Sequence, residues 1–475
     1  MTDQLIAIVK RDCPTCELVA PVLAQLASSV SITVYSQDDP SFPEQLERVV
    51  DDTELGVSHR MGIEIVPTLV RMSGDQEVAR QIGWHRGDWE TLSGVSNLGP
   101  DLPEWGAGCG AKNVEPGILE QLKIRFGQTG IQSRLVELGD AEDEIEAMFE
   151  RDWSDGLPLV PPTEARVLRM LAGTTEEPSA LLGLCPPNLI ELTVEKVAVN
   201  AVMAGCKPEY MPVVLAAMRA TLVDEFALHG VLATTMFVGP VFVVNGPVRG
   251  RIGMNALGNA LGQGNRANAT IGRAVQLVVR NVGGGLPQGV DRSCLGNPGK
   301  YTYCFAEDEE GSCWESLAEE RGFSPDQSTV TAFAGYGLQG VVDQKARDPE
   351  SLCRTFAASL RAFHNVKAAP AGDVIIVVCP EHERTFRIAG WSKRQFIDRL
   401  YELLEIPGAE LVAGVGGIAE GIPAALADKT FNKFRPGGIL VVRAGGGAGM
   451  FSAIIGGWMA SGPKGSIPIT TEVQS

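Results

Sequence analysis

Short aliphatic runs and helical repeats alternate over the first hundred positions of this 475-residue chain. Residues 5–9, Leu-Ile-Ala-Ile-Val, form an unbroken apolar run of strand length, which predicts a buried strand. Over 17–28 the apolar residues Leu18, Val19, Val22, Leu23 and Leu26 fall at helical spacing. Residues 31–35 predict a second strand and 42–55 a second helix. The segments 63–70 and 78–82 read as a hairpin around Ser73-Gly74-Asp75, and 88–94 opens a last helix. Residues 1–96 therefore predict one small unit of order β-α-β-α-β-β-α.

Residues 97–117 lose all periodicity and are rich in Gly and Pro, which reads as a linker. Beyond it, helical spacing returns at 118–129, 141–151, 164–172 (capped by Thr163), 194–204 and 210–224. A β-rich stretch follows at 233–245, then a helix at 270–282. Two aliphatic strands, 373–379 and 438–442, enclose an amphipathic helix at 393–405 opened by Ser392. The expected fold class is α/β, with a large α/β (or α+β) body of two lobes, 118–345 and 346–475. If its two aliphatic strands share a sheet, Cys379-Pro380-Glu381-His382 and the glycine-rich loop 442–452 become neighbours.

Composition narrows the function. The chain is 44% hydrophobic and 21% charged, which is ordinary for a globular protein. Lys plus Arg number 40 against 58 Asp plus Glu, a net charge of −18 with no basic stripe, which argues against nucleic acid. No apolar run approaches the ~20 residues of a membrane span. The opening MTDQLIAIVKRDCPTC has no basic, signal-like start, so a cytoplasmic location is expected. Ten cysteines and five histidines are scattered without zinc-ligand spacing, so no metal or other cofactor is expected beyond a redox dithiol.

That dithiol is Cys13-Pro14-Thr15-Cys16. A thiol at a helix start meets unpaired N–H groups and the positive end of the helix dipole, which favours thiolate at Cys13. Pro14 suits the first helical turn, and Cys16 lies one turn further, within reach of a mixed disulfide on Cys13. With Val66-Pro67-Thr68 entering the third strand, the first fifth of the chain resembles the thioredoxin/glutaredoxin family. The resemblance implies a thioredoxin-like fold, redox roles for Cys13 and Cys16, and a cis Pro67 lying against them. Asp12, just before the first cysteine, works against the thiolate. Cys109, flanked by Gly108 and Gly110 in the expected linker, reads as an idle thiol or as one carried on a flexible arm.

In the large body, Cys206 sits at a helix–helix corner beside Lys207. It reads either as a buried structural cysteine or as the body's nucleophile, with His229 as a nearby base. The glycine-rich loop 262–273 contains Asn265, Arg266, Asn268 and Arg273, and is either a tight packing turn or an anion site at a helix start. Residues 291–310 crowd Asn297, Lys300, Tyr301, Tyr303 and Glu307 together. In a site, Lys300 would orient an anion, Tyr303 (or Tyr301) donate a proton, and Glu307 act as acid or base.

The stretches DWSDGLPLVPPT, VEKVAVNAVMAGCKPEY, NRANATIGRA and NPGKYTYCFAEDEE resemble companions of small Cys- or selenocysteine-containing proteins with a UGSC-type motif. Those partners are in turn similar to subunits of selenocysteine-dependent glycine and proline reductases. The resemblance implies thiol-based reductive chemistry. The leading expectation is an oxidoreductase in which the linked dithiol recycles a catalytic thiol acting on a small anionic organic substrate. Linkage would raise the local dithiol concentration to roughly millimolar. The alternatives are a non-redox lyase or hydrolase, or an electron-delivering subunit for a UGSC-type partner. A homo-oligomer is the expected assembly.

Overall fold

The computed structural model describes residues 3–139 and 142–474. The chain is mixed α/β and divides into two compact units, 1–130 and 131–475. Among the described residues, no helix is long and apolar enough to cross a membrane.

The first unit runs β1 (Asp3–Val9), α1 (Pro14–Ser29), β2 (Ile32–Ser36), β3 (Val50–Asp51), α2 (Gly56–Arg60), β4 (Ile65–Val66), β5 (Thr68–Ser73), β6 (Gln76–Ile82), β7 (Trp84–His85), α3 (Arg86–Ser93), β8 (Trp105–Gly106), β9 (Cys109–Gly110) and α4 (Ile118–Arg125). Its main sheet has the order β3-β2-β1-β5-β6, parallel on the β3 side of β1 and antiparallel beyond it. Ala7, Ile8 and Val9 of the central strand are fully buried, which explains why that run reads as uninterrupted apolar.

Two expectations fail here. Residues 42–55 do not form a helix, because the chain turns at Phe42-Pro43, pairs briefly as β3 and restarts as α2 under an Asp52 cap. Residues 97–117 are not a linker either. Their Trp105–Gly106 and Cys109–Gly110 pair with β7 and β4, and Gln37 and Asn113 join them through buried hydrogen bonds.

The second unit opens with α5 (Glu144–Glu150), whose expected start at Ala141 lies outside the described residues. It continues through α6 (Glu164–Leu171), β10 (Leu181–Cys185), β11 (Ile190–Thr193), α7 (Val194–Ala204), α8 (Met211–Leu222), α9 (Leu228–Ala233), β12 (Gly239–Asn245), α10 (Val248–Arg251), α11 (Arg266–Asn281), β13 (Cys304–Ala306), α12 (Leu317–Glu320) and β14 (Thr329–Val342). The remainder is α13 (Pro349–Arg361), β15 (Val374–Val378), α14 (Pro380–Ile388), α15 (Lys393–Leu403), β16 (Glu405–Pro407), α16 (Gly408–Leu411), β17 (Thr430–Asn432), β18 (Ile439–Arg443), β19 (Phe451–Gly457) and β20 (Ile469–Glu472).

The large sheet has seven strands; its main path, β13-β12-β14-β19-β15-β18, places the strands of its two halves in mirrored order, and β20 pairs with β14 off that path. In each half a strand (β12 or β15) lies parallel to the next one outward and antiparallel to the third one inward. The halves meet where β14 pairs antiparallel with β19. The unit thus centres on one large sheet built by repeating a topology, and that sheet runs across the expected lobe boundary at 345/346.

Side-chain alternation along these strands builds three apolar layers. Phe242 and Val244 face α7, α8 and α11, whereas Val374, Ile376 and Val378 face α13, α14 and α15. Val241, Val243, Ile375, Val377, Leu440 and Val442 share a third cluster inside the curl of the sheet. The curl brings its two edges together, and the Asp308 N–H beyond β13 donates to the Arg443 carbonyl of β18 at 2.8 Å.

Candidate functional site

Strand β1 delivers the chain into α1 with Cys13 as the helix cap, extended at φ −155° and ψ 110°, and Pro14 in the first turn. The Cys16 N–H donates to Cys13 Sγ at 3.3 Å, and a protonated Cys13 donates to the Val66 carbonyl oxygen at 3.6 Å. The Val66–Pro67 peptide bond is cis. Cys13 is 1% exposed and Cys16 wholly buried.

The Cys13 thiol is pushed down from the ordinary 9.0 to about 5. A hydrogen bond from the Cys16 thiol is the largest cause. The Cys109 thiol and the N–H groups of Cys16 and Thr15 add to it, against the cost of burial. Cys16 moves the other way, far up, through burial and the adjacent Cys13 sulfur. Asp12 does not prevent the shift: its side chain is exposed, and its own N–H is taken by Asp38 at 3.1 Å.

Residues 105–110 lie over this dithiol as a strap. The Thr15 hydroxyl donates to the Ala107 carbonyl, and Val66 stands opposite Cys109 in the β4–β9 pair. A Cβ on Gly106 would lie 3.1 Å from Thr15 Cγ2, and one on Gly108 would fall on Ile65 Cγ2 and 3.0 Å from the Val66 oxygen. Gly106 and Gly108 are therefore a requirement of close packing while Gly110 has open space, and Cys109 lies in a paired strand rather than in a linker or on a flexible arm. Gly108→Ala is expected to detach the strap at a cost of about 1–3 kcal/mol. Hydrogen exchange at Cys109 and Gly110 checks this, and unchanged protection there would count against the packing.

In the second unit the loops chosen from sequence do meet, around a cleft of about 440 Å³ whose walls include Asn268, Asn297, Tyr303 and Cys304. The Thr302 hydroxyl donates to the Ala269 carbonyl at 2.7 Å and ties the loops together. Most of the chosen side chains, however, are occupied. Asn265 caps α11 by accepting the Asn268 N–H, while Asn268 binds the Asn255 and Ala260 carbonyls. Arg266 Nε donates to the Gly205 carbonyl at 2.9 Å, and Asn297 Nδ2 to the Phe237 carbonyl at 2.6 Å.

Arg273 grips Asp155 with two bonds of 2.8 Å, and Lys300 holds Asp291 at 2.7 Å and Ser293 at 2.7 Å. These cations are paired within the chain, which corrects their expected role as anion ligands. Burial pushes the Tyr303 phenol up, so it keeps its proton. Glu307 is also raised by burial, against Lys393, the Leu317 N–H and Asn245, and sits in the interior rather than at the cleft. His229 is exposed on α9.

Cys206 sits where its thiol keeps its proton. Its thiol donates to the Thr270 carbonyl at 3.3 Å, and burial pushes it up to about 12, outweighing Arg266 and Arg273. Its alkylation by iodoacetamide is expected to climb about tenfold per pH unit between pH 7 and 9. A plateau below pH 8 would restore it as a reactive thiol.

The thiol that sequence reading passed over is Cys379. It caps α14 directly after β15, with Pro380 in the first turn, the same strand–Cys–Pro–helix arrangement that holds Cys13. Its N–H donates to Ser452 Oγ at 3.0 Å, which sits 2.7 Å from His382 Nδ1, while His382 Nε2 donates to the Asp343 carbonyl at 3.0 Å. The 379–382 and 442–452 loops are thus neighbours, as their shared sheet required. Burial is the largest influence on both residues and opposes charge, but their mutual hydrogen bond together with backbone and charge partners outweighs it: Cys379 is lowered and His382 raised.

No group of three or more His, Cys, Asp or Glu among the described residues is arranged to hold a metal ion. No family model matches the chain, and no curated protein matches it.

Proposed function

We propose that the chain is a thiol–disulfide oxidoreductase whose exchanging pair is Cys13 and Cys16, carried by an N-terminal thioredoxin-like unit. One observation carries this reading: Cys13 caps α1 beside a protonated, buried Cys16, so the site pairs a stabilised thiolate with a resolving thiol. The sheet order β3-β2-β1-β5-β6 and the placement of the pair between β1 and α1 are in keeping with that family. In the larger unit, Cys379 beside His382 suits thiol chemistry better than Cys206, because only Cys379 is held below the ordinary thiol range.

The test is a redox titration of the full chain between dithiothreitol and glutathione disulfide buffers, with acid quenching, alkylation and peptide mapping. The expected result is a reversible two-electron interconversion of Cys13–Cys16. Two cysteines that stay alkylated in every buffer would overturn the proposal.

A further inference from the structure

The N-terminal site holds three thiols, and only one of them meets solvent. Cys13 and Cys16 are 1% and 0% exposed, whereas Cys109 is half-buried. The strap is fastened over the pair from both sides of Cys109: Thr15 holds Ala107, and β4 holds Cys109 and Gly110. Val66 brings the sulfurs together, since its carbonyl oxygen touches Cys13 Sγ and its backbone pairs with Cys109. The Cys109 thiol stands near enough to Cys13 to help hold it down. An external disulfide approaching this conformation meets Cys109 before it can meet Cys13.

We infer that Cys109 is a third catalytic cysteine, relaying disulfide exchange between external low-molecular-weight disulfides and the buried Cys13–Cys16 pair. The inference rests on the proposed redox role of that pair. In the first step the Cys109 thiol gives its proton to the departing sulfur as it attacks an external disulfide RS–SR, forms Cys109–S–SR and releases one thiol, RSH. In the second, the Cys13 thiolate attacks Cys109 Sγ, forms the Cys13–Cys109 disulfide and releases a second RSH. In the third, Cys16 gives up its proton and attacks Cys13 Sγ, and Cys109 leaves as thiolate. In sum, RS–SR takes two electrons and becomes two RSH, while Cys13 and Cys16 become a disulfide and Cys109 is regenerated.

Reasons of chemistry and of position agree. Cys13 is a good attacking group at neutral pH, and a leaving Cys109 thiolate is favoured by Lys10 and the Thr15 N–H. Burial, then Cys13, raises the Cys109 thiol, so it acts as a thiol until an incoming disulfide draws it out. The fixed β4–β9 register keeps the exchanging sulfurs adjacent without a domain movement.

The experiment exposes reduced full-length protein to glutathione disulfide, quenches in acid, alkylates with N-ethylmaleimide and maps the disulfides by mass spectrometry. Cys16→Ser is expected to stop at an intramolecular Cys13–Cys109 bond. Cys109→Ser and Cys109→Ala are each expected to form Cys13–Cys16 about tenfold more slowly than the wild type, because the buried Cys13 must wait for the strap to open. A Cys16→Ser chain that ends with glutathione on Cys13 and a free Cys109 overturns the relay. So do Cys109 variants that match the wild-type rate within about twofold, while leaving the redox role of Cys13 and Cys16 standing. A wild type that never forms Cys13–Cys16 overturns both.

Discussion

Cys13→Ser is expected to abolish thiol–disulfide exchange by the N-terminal unit, a loss on the order of a thousandfold or more, because a hydroxyl cannot form the disulfide. The assay is dithiothreitol-driven reduction of a disulfide-bonded protein such as insulin by the full chain. Residual activity above about a tenth of wild type would place the exchanging thiol elsewhere. The pH profile adds a second check. With its thiol held at about 5, Cys13 should be alkylated at a rate that levels off above about pH 6. The same depression links pH to stability. A folded value below the unfolded one favours the folded state above the unfolded value and loses that advantage as pH falls through about 5. The stability of reduced wild type relative to reduced Cys13→Ala should therefore rise between about pH 5 and pH 9. Urea midpoints across that window decide it, and a flat difference would mean that the thiolate is not stabilised by the fold.

Arg443→Met is expected to destabilise the larger unit by about 3–5 kcal/mol. Arg443 is 8% exposed at the carboxyl end of β18, ion-paired with buried Asp308 and 3.9 Å from fully buried Glu383. Removing the guanidinium leaves two buried carboxylates without their shared cation, at the point where the sheet's edges join. The crowding is tight: a Cβ on Gly311 would collide with Arg443 Nη1 and Asp308 Oδ2. Amide exchange in Ile439–Arg443 and Cys304–Ala306 reads the loss locally, apart from the N-terminal unit. Adding Asp308→Asn to Arg443→Met should recover part of the loss, since it removes one of the stranded charges. Unchanged protection in the single variant would mean that the network carries no stability.

Local grammar was legible wherever one residue type had one job. The aliphatic run of β1, the Pro after Cys13 and Ser392 as a helix opener each pointed to the element observed. Helix 42–55 failed because its spacing suited a helix while Pro43 and the Asp52 cap broke the chain into a turn, a short strand and a new helix start. The loops of residues 265–273 and 297–303, read separately in the sequence, line one cleft in the fold. Their charges were misjudged, since a sequence lists Arg273 and Lys300 without showing that Asp155, 118 positions away, and Asp291 neutralise them.

The sequence by itself determined that a helix begins at a Cys-Pro-Thr-Cys dithiol and that aliphatic strands alternate with amphipathic helices, because both depend on neighbours within about one or two turns. Tertiary structure alone decided which thiols can react. Burial depth and long-range partners set a cysteine's charge: Cys206, beside Lys207 in sequence, is neutral against the Thr270 carbonyl, while Cys379 is lowered by His382 once β19 brings Ser452 to both. The strap shows the same limit most plainly. Nothing local in Gly108-Cys109-Gly110 specifies a partner, and only the pairing of Val66 with Cys109, 43 positions apart in the chain, brings that thiol towards Cys13.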